Sequence, residues 1–486
     1  MSVTLDERAS NLLAAAPVSV ELPAGTGKTH LLAAAVKEAA RQGHRSLILT
    51  HTNAGVDAIR KRLARFQVST KLYTVETVTS WAFRLARSYQ VIAKLAIPEA
   101  PDWEHSDAYL QGAIDVANSS AIRNVMRLSY DYLLVDEYQD CTGLQHKFIM
   151  TLRHSIPTAI VFGDPLQSIF RFGKNRVVDW DEDVVSTFPP HSVELVPHRW
   201  ERSNPSLGRF TLDIRQKLQP GNWVDLGNYS ASGVVYIPGD PTRTLVQACY
   251  SLVSTNESVA VLTKWPLDED RIARSLSGRF SVVEPINGTR MANSLKELPK
   301  EGDPLLAKWF AVTAKQFHVG LSGIDARLLS KLGEGKSVAS TKRKGIQEFV
   351  DALAELQQHP HYRTLLDFQS VPGALDGVRC SYGEAWRDIF RTIQYAVEEE
   401  SPDMVANLAV IRSSYRNIER RIPRLIVSRT LIVKGLEFDH VVIGDLQQFS
   451  DPCDLYVALS RAKKSVTVLG KASSVLLKGA RIGSID

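Results

Sequence analysis

Cysteine is scarce in this chain. Among 486 residues there are four, Cys141, Cys249, Cys380 and Cys453, and no two form a C-x-x-C pair. That argues against a thiolate zinc site and against a disulfide framework, and leaves reduced thiols in a cytoplasmic protein as the expectation. No apolar run reaches bilayer-spanning length, and the first residues lack a signal-peptide pattern, so no membrane partner is expected. Repeats and low-complexity tracts are not visible either. His359 and His361 flank a proline without acidic or thiol companions, and read as solvated loop histidines rather than metal ligands. Excess charge is also missing. The formal net charge is +5, which permits a nucleic-acid partner without demanding one. With 44% hydrophobic and 23% charged residues, the composition is that of an ordinary globular protein. The length suggests about three domains.

What is present begins with two acids. The hydrophobic run Tyr132-Leu133-Leu134-Val135 stops at Asp136-Glu137 and is followed by Tyr138-Gln139-Asp140. A buried strand ending in Asp-Glu sets a metal-holding carboxylate beside a catalytic one. A nucleoside triphosphatase needs that pair, one acid holding Mg²⁺ through water and the other orienting the attacking water. Upstream, Leu22-Pro23-Ala24-Gly25-Thr26-Gly27-Lys28-Thr29 follows the apolar run Val18–Leu22 and precedes His30–Val36, read as a helix. Strand, loop and helix in that order are the context a phosphate-binding loop requires. Gly25 and Gly27 let backbone N–H groups approach phosphate, and the helix N-terminus adds its dipole. The expected ATP-binding residues are Ala24, Gly25, Thr26, Gly27, Lys28 and Thr29. Lys28 reaches the β- and γ-phosphates, and Thr29 joins Asp136 on Mg²⁺. Leu22 stands where the usual motif has its first glycine.

The first 200 residues alternate strands (Ser46–Thr50, Tyr132–Asp136, Thr158–Gly163) with helices (Asn53–Phe66, Val78–Ser88, Gly143–His154). That alternation predicts a parallel sheet covered by helices, with ligands beyond the carboxyl ends of the strands. A second α/β region follows, with strands at Ser258–Leu262, Leu425–Ser428, Val441–Asp445 and Ser465–Leu469. It is interrupted between Ile286 and Val405 by helical sequence carrying Lys342-Arg343-Lys344. That basic stretch is either a solvated face or a phosphate-contacting patch.

Further motifs carry a family resemblance. Gly163-Asp164-Pro165-Leu166-Gln167-Ser168-Ile169-Phe170-Arg171-Phe172 resembles a segment of the UvrD/Rep/PcrA-type superfamily 1 DNA helicases. So do Thr52-Asn53 after a strand, Thr77 with Ser80, Lys434-Gly435-Leu436-Glu437-Phe438, and Tyr456-Val457-Ala458-Leu459-Ser460-Arg461. The motifs occur in family order over almost the whole chain, in what looks like a compact form of the family.

The resemblance implies an α/β fold of two RecA-like parallel-sheet domains with a P-loop and an ATP cleft, each domain carrying a mainly helical insertion. The first RecA-like domain is expected at residues 1–88 and 127–190 with a small helical insertion at 89–126. The second is expected at 191–285 and 406–486 with a helical insertion domain at 286–405. Glu137 activates water. Gln167 senses the γ-phosphate, joined by Arg461 as arginine finger and by Arg199, with Arg202 its rival. Gly435 and Glu437 lie near the nucleotide, and either Trp200 or His198 packs on the adenine.

Thr52, Asn53, Thr77, Phe172 and Thr430 are the DNA-binding candidates. Thr52 and Asn53 equally suit plain N-capping, and Phe170 is either core or a base platform beside Phe172. The implied activity is ATP-dependent 3′–5′ translocation on single-stranded DNA. A different class is also open: a regulatory ATPase that senses DNA ends and activates a nuclease-like partner subunit, as in antiphage systems such as Gabija. Nothing in the chain resembles a nuclease domain.

Overall fold

A computed structural model of the chain describes residues 4–98, 103–169, 176–253, 256–283, 289–414 and 422–479. Its packing divides into two compact units. One takes in the described residues of 1–234, 449–465 and 474–486, and the other those of 235–448 and 466–473.

The first unit is built on a five-stranded sheet. Its strands are β1 (Val18–Glu21), β2 (Ser46–Thr50), β3 (Tyr73–Thr77), β4 (Tyr132–Val135) and β5 (Thr158–Gly163), in the order β1-β5-β4-β2-β3. Every pairing is parallel. Parallel strands are buried on both faces, so they read as continuous apolar runs. The two-residue period divides each run. Leu47, Leu49, Leu133, Val135, Ala159 and Val161 enter one core, whereas Ile48, Leu134, Ile160 and Phe162 enter the other. The strand bounds read from sequence hold to within one residue here.

The covering helices are α1 (Leu5–Ala15), α2 (Lys28–Arg41), α3 (Asn53–Arg65), α4 (Val78–Ser88), α5 (Gln90–Ala93), α6 (Ser106–Asn118), α7 (Ser120–Ser129) and α8 (Gly143–Arg153). Their starts are chemically marked. Thr52 and Thr77 cap α3 and α4 by accepting the N–H of Gly55 and Ser80, and Thr142 with Gln145 forms a capping box on α8.

The second unit holds most of a six-stranded sheet. Its strands are Val234–Pro238, Phe438–Ile443, Val259–Thr263, Leu425–Arg429, Ser281–Val282 and Ala462–Gly470. The strand Val259–Thr263 pairs in parallel with both Leu425–Arg429 and Phe438–Ile443. The expected α/β class with two largely parallel sheets is therefore what the chain adopts. The stretch expected to be helical is so, with helices such as Leu306–Phe317, Gln347–Gln358 and Gly383–Glu398 around Phe310, Phe349, Trp386 and Phe390. In the basic stretch, Arg343 pairs with Asp325 at 2.8 Å, while Lys342 and Lys344 are exposed.

Sequence reading groups residues 406–486 with the second domain. By packing, 449–465 and 474–479 group with the first unit. The cause is the helix Pro452–Ser460, whose residues are all buried and whose Tyr456 and following Arg461 bond to side chains and loops of that unit. None of the four cysteines forms a disulfide, and no helix among the described residues is long and apolar enough to cross a membrane.

Candidate active site

The carboxyl ends of β1, β5 and β4 lie side by side, and the loops leaving them meet. After β1 the ladder continues one residue further, because the Leu22 N–H donates to the Gly163 carbonyl at 2.9 Å. Leu22 is buried. Its place is thus a strand position, where leucine suits better than the glycine of the usual motif. The chain then turns through Gly25 (φ +75°) and Gly27 (φ +90°), a left-handed conformation that glycine adopts without steric cost. Gly25 is required twice over, since a Cβ there would lie 2.6 Å from the Trp200 ring. The Thr26 hydroxyl donates to the Pro23 carbonyl at 2.8 Å. The N–H groups of His30 and Leu31 bond back to the Gly27 carbonyl, so α2 opens with Lys28 and Thr29 in its first turn.

Lys28 is buried and faces the acids. Its Nζ lies 2.5 Å from Glu137 Oε1 and 3.7 Å from Asp136 Oδ1. Burial opposes its charge, but the Glu137 and Asp136 carboxylates outweigh that and hold the ammonium's pKa above its usual value. Asp136 is shifted the other way. Burial raises its carboxyl well above the ordinary range, although Lys28 pulls it back. Glu137 adopts φ +56° and ψ +39°, a conformation costing a non-glycine residue about 1–2 kcal/mol. Gln139 helps to hold it, donating from Nε2 to Glu137 Oε2 at 2.5 Å and accepting the Asp164 N–H on Oε1 at 3.0 Å. The residues after the two acids therefore join the end of β4 to the end of β5.

Asp164 is fully buried. It accepts from the Ala24 N–H (3.2 Å), the Leu166 N–H (3.3 Å), Gln167 Nε2 (2.8 Å) and Arg215 Nη1 (2.8 Å). Gln167 Oε1 in turn accepts from Arg461 Nη2 at 3.2 Å. Arg199 touches the phosphate loop through its backbone, whose N–H donates to the Gly25 carbonyl at 3.1 Å, and its guanidinium donates to the Ser460 carbonyl. Arg202 is exposed. Trp200 is fully buried, with its indole N–H 2.7 Å from the Ala462 carbonyl. It is a wedge behind Gly25 rather than an open surface for adenine. His198 is the exposed ring of the pair, and a Cβ at Gly27 would sit 3.1 Å from it. Two participants escape a reading of motifs. Arg215 lies in no motif, and Tyr456, though inside one, reveals its bond to the Ala24 N–H (3.0 Å) only in three dimensions.

The other candidates are placed as follows. Thr52 and Asn53 lie exposed after β2, and Thr77 is half-buried as the last residue of β3. All three stand at the carboxyl edge of the sheet that carries the phosphate loop, on the strands farther from β1. Phe170 and Phe172 lie outside the described residues. Thr430, Gly435 and Glu437 belong to the second unit. There Thr430 is buried, and its hydroxyl has no hydrogen-bond partner among the described residues. Gly435 (φ +84°) and Glu437 are exposed in the turn that follows.

Among the described residues there is no group of three or more metal-ligating side chains. Magnesium nevertheless fits. Buried Asp136 and half-exposed Glu137 converge on one cationic point, and Thr29 stands one residue beyond Lys28. Mg²⁺ needs only one or two protein oxygens when phosphate and water supply the rest. A loop with two left-handed glycines, a helix N-terminus, and a lysine facing two carboxylates is suited to a magnesium–nucleoside triphosphate.

Comparison with known proteins agrees with that class of site. A family profile described as the UvrD/REP helicase N-terminal domain matches residues 108–178, the stretch that includes β4, both acids, β5 and Gln167. The match supports a helicase-type ATP hydrolase. No curated protein matches the chain. Among solved structures, the crystal structure of Pif1 helicase from Candida albicans shows a TM-score of 0.43 and 11% identity, over 99% of this chain and 98% of that one. Likeness at this level says nothing about activity.

Proposed function

We propose that the chain is a DNA-dependent ATPase that moves 3′ to 5′ along single-stranded DNA. The observation that carries the ATPase part is the convergence of Lys28 with Glu137 and Asp136 at the ends of neighbouring strands. The helicase-domain match over residues 108–178 supports the motor part.

Lys28 binds the β- and γ-phosphates, with backbone N–H groups of the glycine-containing turn around them. Thr29 and Asp136 would hold Mg²⁺, which would supply positive charge against the phosphate oxygens. Glu137 orients the attacking water and takes its proton. The Lys28–Glu137 ion pair makes this conditional, because the triphosphate competes for the ammonium and frees the carboxylate only when Lys28 turns to phosphate. Gln167, Arg461 and Arg199 sense the γ-phosphate. Gly435 and Glu437 also serve the nucleotide, while Thr52, Asn53, Thr77, Phe172 and Thr430 contact the strand. ATPase rates with single-stranded DNA, duplex DNA and RNA test the reading. Stimulation by single-stranded DNA is expected, with turnover abolished and ATP binding kept in Glu137→Gln. Turnover unmoved by any nucleic acid would sink the motor, and normal turnover in Glu137→Gln would sink the site.

A further inference from the structure

Arg215 lies far from every motif, yet it is held by three groups of the site. It sits in the short helical turn Ile214–Lys217 after the helix Pro205–Asp213, and its side chain is 13% exposed. One guanidinium nitrogen meets Asp164 Oδ1 at 2.8 Å, and another meets Glu21 Oε1 at 2.7 Å. Glu21 ends β1 and pairs in register with Gly163, so Arg215 bridges the ends of two neighbouring strands. Its Cζ also lies 4.9 Å from the centre of the fully buried Tyr456 ring. A planar fork is the side chain suited to two carboxylates and an aromatic face at once.

We infer that Arg215 is a positioning residue for ATP hydrolysis: by fixing the Asp164 carboxylate it sets the orientation of the Gln167 amide toward the γ-phosphate. The inference rests on the ATPase reading given above. The two oxygens of Asp164 divide the task. Oδ1 takes Arg215 and the Leu166 N–H. Oδ2 takes the Ala24 N–H and Gln167 Nε2. With its NH₂ on Asp164, the Gln167 amide must present its oxygen to Arg461. Tyr456, packed under the guanidinium, accepts the same Ala24 N–H. Without Arg215 a fully buried carboxylate loses the guanidinium that hydrogen-bonds and ion-pairs with it, and a buried charge left short of such a partner reorganises toward other donors. Gln167 then loses a fixed anchor while the phosphate loop keeps Lys28.

The test compares kcat and KM for ATP in the full chain. Arg215→Met is expected to lower kcat tenfold or more and to move KM less than threefold, with Arg215→Lys in between. In a Gln167→Ala background, Arg215→Met is expected to cost less than a further twofold, since its route of action is gone. Wild-type turnover by Arg215→Met, a raised KM at unchanged kcat, or losses that multiply in the double variant would overturn the inference. If Arg215→Met does not fold, Arg215→Lys is judged by the same criterion: a threefold or greater loss that vanishes in the Gln167→Ala background supports it, and a loss that persists refutes it. Absence of ATP turnover in the wild-type chain would instead defeat the ATPase reading itself.

Discussion

The Glu137 carboxylate and the Gln139 side-chain amide, two residues apart, meet at 2.5 Å. The bond spans a left-handed turn, and the other end of the amide accepts the Asp164 N–H. The two acids are therefore not simply the end of a strand. They are held from the neighbouring strand's loop by the residue two positions after the second acid.

Replacing Gln139 separates the structural and chemical parts of this arrangement. Gln139→Leu leaves the Asp164 N–H buried without its acceptor, which costs about 1–3 kcal/mol of stability. It is also expected to slow ATP turnover at least tenfold. Glu137→Gln is expected to lose turnover with stability within about 1 kcal/mol of wild type. Denaturant unfolding and steady-state ATPase on both variants check the contrast; equal stability of the two would contradict the bridging role.

Gly25→Ala meets two obstacles at once, the φ of +75° and the Trp200 ring 2.6 Å from the new Cβ. A loss of more than about 1 kcal/mol in stability and at least tenfold in ATP affinity is expected. Nucleotide-binding titration decides, and unchanged affinity would show that the loop adapts without cost.

In the second unit, His318 is buried against Trp386, with ring centres 4.6 Å apart. Burial pushes its imidazole down to about 4 from an ordinary 6.5. The neutral form is the one the fold accepts. Stability is therefore full above pH 6.5 and declines as pH falls toward 4, by up to about 3 kcal/mol from this group. His318→Gln is expected to flatten that limb of the stability–pH curve. An unchanged slope between pH 6.5 and 4 would remove His318 as its source.

Asp388 and Arg412 form an ion pair at 2.8 Å, both nearly inaccessible to solvent. Arg412→Met strands the acid and is expected to destabilise the second unit by about 3–5 kcal/mol, with much of that recovered when Asp388→Leu is added. Thermal unfolding of the single and double variants measures it; additive losses would mean the two charges are independent.

The strands were legible because a parallel sheet writes continuous apolar runs, as in Leu133–Val135. The phosphate loop and the acids were legible because each is local in sequence. Arg215 was not, because its partners Asp164 and Glu21 lie 51 and 194 positions away and its own neighbours carry no periodic or turn signal that implies them. The choice between Trp200 and His198 as the adenine ring was not legible for a related reason. An aromatic residue beside a nucleotide motif suggests a stacking surface, and only the packing shows that Gly25 lies against its ring. The grouping of residues 449–465 with the first unit was equally hidden, since it depends on where Tyr456 and Arg461 find acceptors and donors.

The Asp136 N–H donates to the Leu49 carbonyl at 2.8 Å. Leu49 lies one residue before the end of β2, and β2 leads directly to Thr52 and the first turn of α3. The rung that anchors the acid is thus the last on the β4 side of β2 before the proposed strand-gripping threonine. In the proposed motor, the acid of the fuel site and the threonine of the track site hang from neighbouring bars of one grid, joined by a rung three residues before that threonine, with no separate transmission between them.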